Sequence, residues 1–116
     1  PASDNPAMLG PAGRAHMNLA DYGRFLQAMM GAGPEGWLTA DSVSRLTTSK
    51  PGDSYALGWI TQAGDLIAHE GSNTLWHIIA VVKPAQGRAV IVASNGGLSG
   101  RAVTAPLARS LLTAET

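Results

Sequence analysis

Two runs of consecutive apolar residues, 78–82 (Ile-Ile-Ala-Val-Val) and 89–93 (Ala-Val-Ile-Val-Ala), constrain the fold of this chain more than any other feature. Strands that are apolar on successive rather than alternate positions need cover on both faces. Pro84-Ala85-Gln86-Gly87 is the whole turn between the strands expected over 75–83 and 88–94. The pairing is therefore antiparallel, because a parallel neighbour needs a crossover of about a dozen residues or more. Upstream, the aromatic and β-branched residues of 55–62 read as a further strand. Ala63-Gly64-Asp65 turns that strand into another over 66–70. A last helix over 101–114, with Val103, Leu107, Leu111 and Leu112 as its stripe, covers one sheet face. Pro106 suits a first helical turn, which moves the expected start towards Thr104 or Ala105.

The first half reads differently. Residues 1–16 hold Pro1, Pro6, Pro11, Gly10 and Gly13 without a period and are expected to form an extended loop. A helix follows over 19–30, capped by Asn18 and with Asp21 in its first turn. Its stripe is Leu19, Tyr22, Leu26, Met29 and Met30, and Gly31, Gly33 and Pro34 stop it. A shorter helix begins after Thr39, with Leu38 and Val43 placed as a hydrophobic staple, Val43 and Leu46 facing inward, and Pro51-Gly52 as its end. The expected organisation is α+β: a helical segment with an N-terminal loop over 1–53, then an antiparallel meander with its packing helix over 54–116. Read as a detached pair, the helices leave the second sheet face bare, so cover from further polypeptide or a second copy is expected.

Composition narrows the function. The 116 residues amount to one domain, and 45% hydrophobic content with eight cations balancing eight anions argues against disorder. The same balance provides no basic patch for a nucleic acid. No cysteine is present, which excludes a disulfide framework, a thiolate metal site and a cysteine nucleophile. No apolar run approaches the roughly 18 residues of a membrane span, and no signal peptide is visible. A chain opening on Pro1 is expected to be a processed protein or a piece of a longer one. His16, His69 and His77 lack the spacing of a metal site, so no metal or cofactor is expected. His16 and His77 read as structural or surface residues, and Trp37, Trp59 and Trp76 as core or pocket wall.

His69-Glu70-Gly71-Ser72-Asn73 is the least ordinary stretch. By residue type it is a strand-to-strand turn, or a place where backbone approaches a ligand. The ordered set Pro11-Ala12-Gly13, His16, Asp21, Phe25-Leu26, Leu57-Gly58-Trp59, His69 through Trp76 and Ala93-Ser94-Asn95-Gly96 carries more. From about Gly10 to Gly97 it resembles the C-terminal third of the serine β-lactamase-like family, the penicillin-recognising serine hydrolases, and most of all their class C and esterase-like branch. The resemblance implies a partial β-lactamase/transpeptidase-like fold and hydrolysis of amides or esters through an acyl-serine. It also implies a periplasmic or secreted location.

In that family His69-Glu70-Gly71 corresponds to the third signature, in its His-x-Gly form. The resemblance then implies a site of His69, Gly71 and Ser72, with His69 beside the acyl centre and the Ser72 backbone N–H as an oxyanion donor. The other two signatures are missing. No serine precedes a lysine by three, since Thr47 and Ala80 stand before Lys50 and Lys83, and neither Tyr22 nor Tyr55 begins Tyr-x-Asn. The chain alone is therefore expected to be inactive. Its partner would be the N-terminal part of the same fold or a second copy, and a small amide or ester the substrate of the complete enzyme. The alternatives are a non-catalytic module that associates with itself or a partner through an unpaired strand, and an enzyme with a new site at His69 and His77.

Overall fold

The computed structural model describes residues 5–114. It is α+β: a four-stranded antiparallel sheet in the order β1-β2-β3-β4, preceded by helices and packed by a C-terminal helix. The strands are β1 (Ile60–Gln62), β2 (Leu66–Ser72), β3 (His77–Lys83) and β4 (Arg88–Ser94).

The segment expected as a loop is partly helical. Ala7–Leu9 makes a tight turn that runs into α1, Gly10–Gly13, and the Asn5 side-chain amide donates to Gly13 O at 2.8 Å. Pro11 favours this, since its ring fixes φ for a first helical turn; residues 1–4 of the expected loop lie outside the described residues. Helix α2, Leu19–Gln27, starts as its cap dictates, with Asn18 Oδ1 accepting the Asp21 N–H at 2.8 Å. It ends three residues short of the expected Met30. The chain widens into a π-turn over Ala28–Ala32, where Gly31 takes φ 91°. Of the expected stripe, Leu26 and Met29 are buried while Leu19 stays half exposed. Helix α3, Ala40–Thr47, is capped by Thr39 Oγ1, which accepts the Ser42 N–H at 3.1 Å.

The expected strand over 55–62 shrinks to β1. Gly58 turns the chain at φ 95°, and Ala56 N–H closes a tight loop onto Trp59 O at 2.8 Å. β3 starts at His77 rather than Leu75 for a similar reason. Thr74 sits at φ 63°, and Leu75 N–H bonds back to Asn73 O, so the chain is still turning there. The β3–β4 connection is the four residues expected, with Gly87 left-handed at φ 60°.

Both faces of the sheet are covered, which corrects the expectation of a bare face. Leu26 and Met29 form one core with Trp59, Ile67, Ala80 and Val82, and Tyr22, Trp37, Val43 and Leu46 pack around it. The helices are thus not detached; they share a core with the strands. On the other face Ala68 and Val81 meet Ala108 and Leu112 of α4, Arg101–Thr113. Strand alternation separates the two cores: Ile67 and Ala68 are neighbours in sequence and lie on opposite sides.

Helix α4 begins at Arg101, as the span 101–114 predicts, and not near Thr104 or Ala105; Pro106 lies inside it, because the turn Gly97–Gly100 feeds directly into the helix and the first turn is tied to the sheet. Its buried face is Thr104, Ala108 and Leu112, while Val103, Leu107 and Leu111 are exposed. The expected stripe is displaced by one residue except at Leu112. Small side chains let the helix lie close to β3 and β4, and a buried hydrogen bond fixes its rotation.

Candidate active site

His69 lies on β2 and pairs with Ala80 across the β2–β3 ladder. It shares its face with Ile67, the side of α2 and α3. Its imidazole stands edge-on to Trp59 at 6.3 Å between centroids, and Trp59 in turn stacks on Phe25 at 6.5 Å. The ring is therefore propped from below by the main core.

The other constraint is polar. His69 Nδ1 lies 2.8 Å from Gly58 O. A carbonyl oxygen only accepts, so Nδ1 carries the proton. In the neutral ring Nε2 is then the nitrogen with the free lone pair. Gly58 is suited to this role because its φ of 95° is one that a side chain resists. The arrangement leaves a ring fixed in orientation and tautomer, able to accept a proton at Nε2 and to return it.

Alternation places the other two expected residues differently. Gly71 follows His69 on the same face, and a Cβ there would meet nothing within 4 Å. Ser72 is on the opposite face, exposed at the strand end, with its hydroxyl donating to Trp76 O at 2.7 Å. The structure thus brings His69 and Gly71 together and turns the Ser72 hydroxyl away from both. What Ser72 can present beside His69 is backbone. The turn that follows is strained, with the β-branched Thr74 at φ 63°. Gly97 N–H ties it to the end of β4 through Leu75 O at 3.1 Å.

Sequence reasoning missed a polar cluster on the α4 face. Glu70 binds Arg101 Nε through both carboxylate oxygens at 3.1 and 3.0 Å, and its Oε2 lies 4.0 Å from His77 Nε2. The Glu70 hydrogen bonds and charge raise the Arg101 guanidinium above its ordinary pKa. His77 is buried, and its Nδ1 meets Thr104 Oγ1 at 2.8 Å. The middle residue of His-x-Gly thereby latches β2 to the first turn of α4. The only advance signal was the alternation that sends Glu70 to the face opposite His69.

A hollow of about 540 Å³ is elsewhere, between Met29, Trp37, Val43 and the turn residues Asp65 and Pro84. No histidine lines it. Among the described residues no group of three His, Asp or Glu could hold a metal ion, and no helix is long and apolar enough to cross a membrane. Comparison with known protein families, with curated proteins and with solved structures finds no match.

Proposed function

We propose that this chain supplies the His-x-Gly strand of a serine hydrolase of the β-lactamase-like kind, one that cleaves amides or esters through an acyl-serine. The observation that carries the reading is the His69–Gly58 hydrogen bond, which holds an imidazole with its basic Nε2 free midway along β2. General acid–base catalysis needs such a group oriented before substrate arrives. In this reading the serine attacks the acyl carbonyl, and negative charge grows on the carbonyl oxygen. The Ser72 N–H then donates to that oxygen while His69 exchanges a proton beside it.

The nucleophile and its base belong to partner polypeptide bearing Ser-x-x-Lys and Tyr-x-Asn, since this chain has neither motif. A hydroxyl is a weak nucleophile without a base in hydrogen-bond reach. The Ser72 hydroxyl does not fill that role, being committed to Trp76 O.

The test is reconstitution. The pure chain should show no turnover of nitrocefin or p-nitrophenyl acetate above buffer. Co-expressed with a polypeptide that bears Ser-x-x-Lys and Tyr-x-Asn and completes the fold, it should gain turnover, which His69→Ala lowers about a hundredfold. Ser72→Ala, which keeps the N–H, should retain most activity. Reconstituted turnover indifferent to His69→Ala, or turnover by the isolated chain, would overturn the reading.

A further inference from the structure

We propose that Asn95 is a site of self-modification, at which the backbone nitrogen of Gly96 closes on the side-chain carboxamide and converts the residue to aspartate and isoaspartate. The inference concerns the turn after β4 and stands independently of the hydrolase reading.

The chain holds four asparagines, and three of them are guarded. Asn5 precedes Pro6, which has no N–H to give up. Asn18 precedes Leu19, and both ends of its amide are engaged: Oδ1 accepts the Asp21 N–H and Nδ2 donates to Asp21 Oδ2, each at 2.8 Å. Asn73 precedes the β-branched Thr74, whose side chain crowds the approach. Asn95 alone precedes a glycine. Its side chain is exposed in the bend between β4 and the Gly97–Gly100 turn, and makes no hydrogen bond among the described residues. The Gly96 N–H is held by the Ser94 hydroxyl at 3.0 Å and not by a ladder or helix carbonyl, so one side-chain rotation frees it. The fold leaves little room for anything but glycine there, since a Cβ on Gly96 would lie 3.2 Å from both Gly100 Cα and Ser94 Oγ.

Hydroxide and water are the only other reactants. Hydroxide takes the Gly96 amide proton, and the nitrogen attacks Asn95 Cγ. The new N–Cγ bond closes a cyclic imide as the Cγ–Nδ2 bond breaks, and ammonia leaves with a proton returned by water. Water then opens the ring at Cγ to give aspartate, or at the main-chain carbonyl to give isoaspartate. In the latter the backbone runs through Cβ and Cγ and is longer by one carbon. The turn has no slack for that carbon. Gly96 O accepts both the Ser99 hydroxyl at 2.6 Å and the Gly100 N–H at 3.2 Å. Gly97 N–H donates to Leu75 O at 3.1 Å, and the two segments are so close that a Cβ on Gly97 would run into Thr74 O. Isoaspartate at position 95 therefore breaks the Gly97–Leu75 bond and releases the turn that follows Ser72.

Ageing the folded chain in mildly alkaline buffer at body temperature, followed by digestion and peptide mass spectrometry, tests this. The Asn95 peptide should gain about 1 Da and become a substrate for isoaspartyl methyltransferase. It should convert roughly tenfold or more faster than the peptides of Asn18 and Asn73. Asn95→Gln, which keeps the carboxamide but enlarges the ring to be closed, should stay unmodified at that position over the same time. In the aged chain, a share of Gly97 amides matching the isoaspartate content should exchange with deuterium roughly tenfold or more faster than in the fresh chain. Aged Asn95→Gln should keep the fresh rate. Conversion of Asn95 no faster than that of Asn73, or a converted chain whose Gly97 amide is as protected as before, would overturn the proposal.

Discussion

The imidazole of His77 and the hydroxyl of Thr104 meet at 2.8 Å in the buried seam between β3 and α4, each nearly inaccessible to water. Removing one partner strands the other without a hydrogen bond. Thr104→Val should cost about 1–3 kcal/mol, or about 4 °C in Tm per kcal/mol for a domain of this size. Replacing both, as His77→Phe with Thr104→Val, should cost less than the sum of the single changes. Urea midpoints for the four chains of this cycle check the expectation.

Burial pushes the Tyr22 phenol above its ordinary 10.0, so the folded chain disfavours its ionised form. A group whose pKa is raised on folding contributes its stability fully below the unfolded value. That contribution is lost as pH climbs through the folded one. Stability should therefore fall with a steeper slope above about pH 10 in the native chain than in Tyr22→Phe. Urea midpoints between about pH 9 and 12 for the two chains measure the difference.

Much of this was readable in advance where local chemistry decides. Strand β4 runs over the residues that its apolar run and flanking turn imply, and Asn18 and Thr39 cap the helices they precede. The rotation of α4 was not readable. Val103, Leu107 and Leu111 are more apolar than Thr104 and Ala108, yet the latter pair is buried, because His77 lies 27 positions away and claims Thr104. Cover of the second sheet face was invisible for the same reason, as Leu26 meets Ile67 and Val82 only in three dimensions. His69 could be singled out from its neighbours in sequence. Its tautomer could not, because Gly58 O is provided by a loop whose shape rests on one positive φ.

The His69 proton should therefore be found on Nδ1. In long-range nitrogen–proton NMR spectra at neutral pH the ring should show the Nδ1–H pattern, whereas free histidine favours Nε2–H. Gly58→Ala forces a side chain into φ 95° and should destabilise the fold by about 1–2 kcal/mol. In that variant the Nε2–H form of His69 should grow.

Thr74 at φ 63° stores strain that glycine does not. Thr74→Gly should leave the fold intact and stabilise it by up to about 1 kcal/mol, after the extra chain entropy of glycine is counted. Gly97→Ala should do the reverse, since its φ is 54° and the added methyl would run into the Thr74 carbonyl oxygen. A loss of about 2–4 kcal/mol is expected there, measured by thermal denaturation of both variants.

Arg88 opens β4, and its guanidinium donates to Leu111 O and Ala114 O at 3.2 and 2.8 Å, where α4 leaves its last carbonyls unsatisfied. One side chain therefore fastens the start of the last strand to the finish of the last helix. Trypsin needs that same guanidinium in its specificity pocket. Cleavage after Arg88 must wait for the helix to let go, which makes the rate of that single cut a clock for the undocking of the C-terminus.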